Sequence, residues 1–141
     1  MSTQTFEQWF ATKKFKHFSA DEFTTYFSRT RDGVRNSAPP RALWESIVPT
    51  LRLVDELRKH LNRPIVLLSS YRSRAYNSAV GGESASLHMK FNALDIAVAG
   101  HSPSSVARLL KQWRKEGKFL GGVGTYPTFV HIDTRGYNAT W

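Results

Sequence analysis

The chain has no cysteine among its 141 residues. This absence excludes disulfides, cysteine-ligated zinc sites and thiol nucleophiles, and it leaves histidine and carboxylate side chains as the strong metal ligands. The sequence also lacks a run of about 18 apolar residues, which a membrane-spanning helix requires, and it opens without a basic leader followed by an apolar stretch. We therefore expect a protein that is made in the cytoplasm without a signal peptide and that has no membrane span.

Acidic residues are scarce relative to basic ones. The chain has 20 lysines and arginines against 11 aspartates and glutamates, which gives a formal net charge of +9. Such a charge attracts nucleic acid, anionic wall polymers and acidic lipid surfaces. Because the basic residues are scattered and form no single recognition helix, the pattern favours a generally attractive, solvated surface without a specific nucleic-acid partner. A nucleic-acid binder would instead show DNA affinity that falls steeply with salt.

The length and composition fit one folded domain over residues 1–141. Hydrophobic residues make up 40% of the chain and aromatic residues 13%, which is enough to offset the chain entropy by burial. We expect a monomer, in which residues 1–17 form a loosely packed N-terminal segment.

The spacing of apolar residues predicts helices first and strands later. Predicted helices cover about 20–28, 43–61 and 102–116, and predicted strands cover 65–68, 93–98, 121–126 and 129–133. Pro49 lies inside the second helical pattern and must kink or split it, because proline removes a backbone donor. This order favours an α+β fold in which N-terminal helices pack against a small antiparallel sheet. The long polar loop between 71 and 88 is predicted to belong to a functional site.

Two pairs of residues could carry chemistry. In the predicted strand 129–133, His131 and Asp133 share one face, since side chains alternate with a period of two; the alternative is a hydrogen-bonded pair on a solvated surface. His88 and Asp95 would lie about 10.5 Å apart on one helix, which is too far to share an ion. They could bind the same ion only if the chain folds back between them. The alternative is an unrelated loop histidine and strand aspartate. Asp95 nevertheless stands in an apolar strand, where a buried carboxylate needs a cationic partner.

Several ordered motifs resemble the peptidase M15 family of zinc D-Ala-D-Ala carboxypeptidases and murein endopeptidases. The resemblance covers about residues 18–136 and is closest to small phage-type and murein endopeptidase K-like members. The motifs are Ser70-Tyr71-Arg72-Ser73, Tyr76 to Gly82, Ser86-Leu87-His88-Met89, Ala93-Leu94-Asp95-Ile96, Gly122 to Tyr126 and Phe129 to Asp133. The resemblance implies a hedgehog/D-Ala-D-Ala-peptidase-like fold.

The resemblance also implies the roles of individual residues. The zinc ligands would be His88, Asp95 and His131. Arg72 would bind the substrate carboxylate or the oxyanion. Substrate-binding residues would be Ser86, Tyr71 and Tyr126. An Asp95 carboxylate held by a lysine or arginine, or two histidines pointing to different places, would contradict this ligand set.

The chain departs from the family pattern at two points. Many relatives place glycine after the first ligand, where this chain has Lys90-Phe91-Asn92, so the local turn must form without glycine. Several branches carry an acid three residues before the last histidine, where this chain has Thr128. Asp133 is then the remaining candidate for a catalytic acid, and its alternative role is to orient His131.

The function implied is zinc-dependent hydrolysis of peptidoglycan peptides through a zinc-bound water, by a murein endopeptidase or a D,D-carboxypeptidase. The alternative is a non-catalytic, zinc-containing module that binds the cell wall. Because peptidoglycan lies outside the cytoplasm, the protein would act in the periplasm or cell wall after phage lysis or effector delivery. A pore, a secretion machine or an immunity protein would then be a further partner.

Overall fold

The computed structural model describes residues 4–141, and this part of the chain contains five α-helices, two 3₁₀ helices and seven strands. The α-helices are α1 (Phe6–Thr12), α2 (Asp21–Phe27), α3 (Val48–Leu61), α4 (Arg74–Ala79) and α5 (Pro103–Lys115). The strands are β1 (Thr30–Arg31), β2 (Val34–Arg35), β3 (Ile65–Ser69), β4 (Ala93–Val98), β5 (Gly122–Thr125), β6 (Val130–Asp133) and β7 (Ala139–Thr140). The 3₁₀ helices are Arg41–Ile47 and Leu87–Lys90. The predicted α+β fold is confirmed.

The larger sheet has the strand order β3-β4-β6-β5-β7. Its first four strands pair antiparallel, as predicted, whereas β7 adds a parallel edge beside β5 that the sequence did not reveal. The neighbouring strands β4 and β6, which are both interior to the sheet, consist almost entirely of buried residues. Side chains from these two strands are therefore fixed on both sides by neighbouring structure.

Pro49 splits the predicted helix of residues 43–61 into two elements. The 3₁₀ helix Arg41–Ile47 comes first, and α3 then begins at Val48, so that the proline occupies the first turn of α3. Proline is tolerated there because the backbone donor it lacks has no partner within the helix at that point. No helix among residues 4–141 is long and apolar enough to cross a bilayer.

The N-terminal segment is part of the core, which corrects the expectation that residues 1–17 pack loosely. Phe6, Trp9 and Phe10 of α1 are each at most 6% exposed. The Phe6 ring contacts the rings of Phe23 and Phe91, which belong to the central cluster. Residues 1–3 lie outside the described part of the chain.

Replacing Thr5 with alanine is expected to lower the free energy of unfolding by about 1 kcal/mol, as is typical for the loss of an N-cap. The Thr5 hydroxyl accepts a hydrogen bond from the backbone N–H of Gln8, and the Gln8 side chain accepts one from the backbone N–H of Thr5. Urea denaturation measures the change, with the exposed Ser37→Ala as control. Equal stability of the two variants would show that the Thr5 cap does not contribute to the stability of the protein.

Candidate metal centre

The structure brings His88, Asp95 and His131 together from three elements. His88 lies on the 3₁₀ helix Leu87–Lys90, Asp95 in the middle of β4 and His131 in β6. Asp95 and His131 are direct cross-strand partners in the β4–β6 ladder. One ligand atom from each of the three residues lies within 4.8 Å of the others, and all three residues are buried. They form a group that could hold one metal ion.

A fold-back at Phe91 brings His88 next to Asp95. Phe91 has φ 52° and ψ 48°, which is the left-handed conformation that glycine usually supplies. A non-glycine residue there carries a cost of about 1 to 2 kcal/mol. The Phe91 ring is completely buried in the aromatic cluster, and this burial offsets the cost. The turn thus forms without glycine, and the seven-residue spacing is compatible with a shared ion.

The His88 ring is oriented by a backbone carbonyl. Its Nδ1 atom lies 2.7 Å from the carbonyl oxygen of Ser70. Because a carbonyl oxygen only accepts, Nδ1 carries the proton and donates. This tautomer leaves a lone pair on Nε2, the atom that lies 3.2 Å from Oδ1 of Asp95.

The His131 ring is oriented in the same manner by a carboxylate. Its Nε2 atom lies 2.7 Å from Oδ2 of Asp133, and with a proton on Nε2 it donates to that carboxylate. The opposite nitrogen, Nδ1, lies 3.3 Å from Oδ1 of Asp95. Both imidazoles therefore present one unprotonated nitrogen to the same oxygen, and a partner on the other ring nitrogen is typical of metal-binding histidines.

The oxygen at the centre of this arrangement fits a shared cation. Asp95 Oδ1 is buried and has no hydrogen-bond partner among the described residues, although a buried polar atom without a partner is costly. Zinc bonds of about 2.0 to 2.1 Å in tetrahedral geometry place neighbouring ligand atoms about 3.3 Å apart. The two measured nitrogen–oxygen separations, 3.2 and 3.3 Å, match this spacing. The donor set of two imidazoles and one carboxylate also suits zinc.

The surrounding charges keep both carboxylates ionised. Burial alone would raise the pKa of Asp95, but the nearby His88 and His131 rings hold it well below its usual range. Burial also opposes ionisation of Asp133, whose pKa is nevertheless held low by hydrogen bonds from His131 and Arg135. Burial would lower the pKa of His131, but the hydrogen bond to Asp133 and the negative charge of Asp95 raise it. The two aspartates are thus charged acceptors throughout the neutral range.

Arg72 contacts Asp95, which is the kind of contact expected to contradict the ligand set, but the contact involves only one of the two carboxylate oxygens. Its Nη2 atom lies 3.3 Å from Oδ2 of Asp95, whereas Oδ1 faces the histidines. The other guanidinium nitrogens donate to the Tyr26 hydroxyl and to Oδ1 of Asn77. The arginine therefore leaves a ligand atom available, and its geometry favours orientation of Asp95 together with a position on the cleft wall.

Replacing Arg72 with alanine is expected to weaken zinc binding by about 10- to 100-fold, the range typical for loss of a residue that orients a metal ligand. Without the guanidinium, Asp95 loses the donor that fixes its second oxygen. Competition with a chromogenic chelator measures the affinity, and the exposed Arg74→Ala is the neighbouring control. Unchanged zinc affinity in the Arg72 variant would restrict this arginine to substrate binding.

The surroundings of Asp133 favour orientation of His131 over proton transfer. Its side chain is completely buried, and it accepts hydrogen bonds from His131, from the backbone N–H groups of Gly122 and Arg135, and twice from the Arg135 guanidinium. Asp133 does not line the cleft. This environment favours the second of its two expected roles, orientation of His131.

The cleft beside the three ligands has a volume of about 740 Å³. Ser86 lines it and its hydroxyl accepts from the backbone N–H of His88, and Tyr126, 37% exposed, also lines it. Tyr71 does not: it is 8% exposed and packs against Phe27 and Phe91 in the core. Its position therefore gives no support to a substrate-binding role.

Sequence reasoning did not single out three charged or aromatic residues that line the cleft. These are Glu83, Arg135 and Trp141. Glu83 lies in the polar loop that was expected to belong to a site, but the loop pattern does not single it out. Trp141 is placed by β7, a strand of two residues, which is too short to leave a periodic signal.

The fold and the centre together define a candidate metal-binding protein, in which an antiparallel sheet and a preceding 3₁₀ helix supply a histidine–aspartate–histidine set at an open cleft. The chain belongs to the peptidase M15 family, whose model matches residues 16–133. The resemblance based on the motifs is thereby confirmed. A comparison with curated proteins finds no match. Peptidases of this family are zinc-dependent, which agrees with the group formed by His88, Asp95 and His131.

Proposed function

We propose that this protein is a zinc peptidase that hydrolyses peptide bonds in bacterial peptidoglycan, as a murein endopeptidase or a D,D-carboxypeptidase. The observation that carries the proposal is the buried Oδ1 atom of Asp95, which has no hydrogen-bond partner among the described residues and lies 3.2 and 3.3 Å from two imidazole nitrogens. The family match supports peptidase activity. The net charge of +9 suits a wall that carries anionic polymers.

Bound zinc supplies Lewis-acid chemistry, polarising a carbonyl and lowering the pKa of water to about 7. His88, Asp95 and His131 would hold the ion, and two of these ligands are oriented by hydrogen bonds to Ser70 and Asp133. Arg72 fixes the second oxygen of Asp95 and adds positive charge to the cleft wall, where it favours developing negative charge on the substrate.

Glu83 is the carboxylate we assign to proton transfer. Thr128 has no carboxylate, and Asp133 is buried behind His131. Among the described residues that line the cleft, the carboxylates are Asp95 and Glu83, and Asp95 faces the metal position. Glu83 is exposed at the cleft, and this position is the basis for assigning it the role.

Replacing Glu83 with glutamine is expected to lower kcat by about 10²- to 10⁴-fold, the usual contribution of a general acid or base. Zinc affinity should stay unchanged, because the side chain is not one of the predicted ligands. Single-turnover hydrolysis of a soluble stem peptide measures the effect, with the exposed Glu56→Gln as control. A Glu83→Gln protein with full kcat would exclude this carboxylate from the reaction.

The proposed activity is tested by incubating the zinc-loaded protein with purified peptidoglycan and analysing the released muropeptides by mass spectrometry. New amino termini within cross-links indicate an endopeptidase, and loss of a terminal D-alanine indicates a carboxypeptidase. Binding to the wall with intact zinc but without any new terminus would instead support the non-catalytic wall-binding module, which the lack of an acid at Thr128 favours.

The substrate determines where the protein would act. Peptidoglycan lies outside the cytoplasmic membrane, so we propose action in the periplasm or cell wall after phage lysis or effector delivery. Neighbouring lysis genes would support the first route, and neighbouring immunity and secretion genes the second.

A further inference from the structure

Trp141 differs from the other tryptophans in its exposure. It is 46% exposed, whereas Trp9, Trp44 and Trp113 are at most 9% exposed. Its indole lines the cleft, with its ring centroid 4.9 Å from that of His131. A large apolar surface is thus left open directly beside a predicted metal ligand.

Several contacts hold the indole in this position. Its Nε1 atom donates to the Tyr126 hydroxyl at 2.8 Å. Its backbone pairs with β5, since Thr125 N–H donates to the Trp141 carbonyl and Trp141 N–H donates to the carbonyl of Val123. The ring lies directly over Gly124, where the Cβ atom of any larger residue would approach Nε1 to 2.5 Å. The exposed indole is therefore rigid.

Helix α5 fixes β7, the strand that directly precedes Trp141. The guanidinium of Arg114 donates to the carbonyl oxygens of Gly121 and Ala139 and to the Thr140 hydroxyl, at 2.6 to 2.9 Å. Arg114 thereby links β7 to the residue just before β5. The position of Trp141 is set by the scaffold and not by a free terminal segment.

Trp141 is not needed to orient His131. That ring is already fixed by β6 and by its bond to Asp133. On the cleft side, the indole joins the stacked rings of Tyr126 and Phe129, whose centroids are 4.5 Å apart, to form an aromatic wall. A rigid, half-exposed aromatic surface in a cleft is characteristic of a ligand contact.

We propose that Trp141 is a substrate-contacting residue that binds the aliphatic side chain of the peptide residue next to the cleaved bond. The apolar wall matches an aliphatic group, and its closeness to His131 puts the contact within one residue of the reacting carbonyl. This inference rests on the proposed function, because it takes the substrate to be a peptidoglycan peptide.

Kinetics with matched peptides test the contact. In synthetic stem peptides, each alanine that flanks the cleaved bond is replaced in turn by glycine. The wild-type protein is expected to show a KM about fourfold higher for one of the glycine peptides, as burial of one methyl group implies. Trp141→Ala is expected to raise KM about tenfold or more for the alanine peptide. It should also remove the preference for the alanine peptide over that glycine peptide. Trp141→Phe should have KM values between those of the wild type and Trp141→Ala. Gly124→Ala, which displaces the indole without removing it, should behave like Trp141→Ala.

Fluorescence and zinc affinity provide readouts that do not depend on turnover. Since the other tryptophans are buried, saturating peptide should shift the emission of the wild type but not that of Trp141→Phe. Zinc affinity should be equal in both. Tyr137→Ala, an exposed aromatic residue of the same segment that does not line the cleft, is the matched control.

The outcomes separate the two proposals. Absence of any hydrolysis by the wild type would overturn the proposed function and this inference with it. Hydrolysis with the same KM and the same alanine preference in wild type and Trp141→Ala would overturn the inference alone. A Trp141→Ala protein with weakened zinc binding and unchanged KM would also overturn it, because the indole would then act through His131.

Discussion

Replacing His88 with alanine is expected to weaken zinc binding by more than about 100-fold and to reduce peptidoglycan hydrolysis to background. The loss of affinity should exceed that caused by removing a residue that only orients a ligand. His88 is 2% exposed, and its Nε2 atom points at Oδ1 of Asp95. Without this ring, two protein ligands remain, which is one fewer than the three found in catalytic zinc sites. Equilibrium dialysis against buffered zinc and release of muropeptides measure the two effects.

His101→Ala is the matched control for this variant. His101 precedes α5 and is not part of the group formed by His88, Asp95 and His131. It should bind zinc and cleave substrate as the wild type does. Wild-type zinc affinity in His88→Ala would show that the ion binds elsewhere and would remove the basis of the proposed function.

Replacing Asp133 with alanine is expected to lower the free energy of unfolding by about 3 to 5 kcal/mol, as the loss of one partner of a buried ion pair does. It should also weaken zinc binding by about 10- to 100-fold. The completely buried carboxylate accepts five hydrogen bonds, two of them from the Arg135 guanidinium and one from His131. Without it, Arg135, which follows the central strand β6, loses its counter-charge and the His131 ring loses its orientation.

Urea denaturation in the presence of a chelator separates the stability effect of Asp133→Ala from metal binding. Asp55→Ala is the control, because Asp55 forms an ion pair with His17 in a partly exposed position, where such a pair contributes about 1 kcal/mol or less. If Asp133→Ala lost kcat while keeping zinc affinity and stability, Asp133 would be a proton carrier and not an orienting residue.

Much of the site could be predicted from sequence because its residues lie in strongly patterned strands. The apolar runs around Asp95 and His131 predicted β4 and β6, and the apolar neighbours of Asp95 indicated that its carboxylate needs a cationic partner. The pairing of β4 with β6 could not be derived from local patterns, because it joins residues more than 30 positions apart and depends on tertiary packing. Only the family resemblance pointed to a shared ion.

The sequence signals for other structural features, such as α1 and the turn at Phe91, differ in strength. Thr5 and Gln8 form a capping box, and Phe6, Trp9 and Phe10 have helical spacing, so α1 was predictable from its own residues. Phe91 carries no such signal, because its left-handed backbone is stabilised by the core around its ring. Tyr71 stands next to Arg72 in the motif, yet the two side chains diverge, one into the core and the other onto the cleft wall.

The direct pairing of Asp95 with His131 makes the centre sensitive to strand alignment. If β6 slipped by one residue along β4, His131 would face the opposite side of the sheet and Ile132 would take its place. A mispaired chain would therefore offer no complete set of ligands. An ion that binds only the correctly aligned sheet shifts the folding equilibrium toward that alignment. The metal ion proposed to activate the substrate would therefore also stabilise the correct pairing of β4 with β6 over the shifted one.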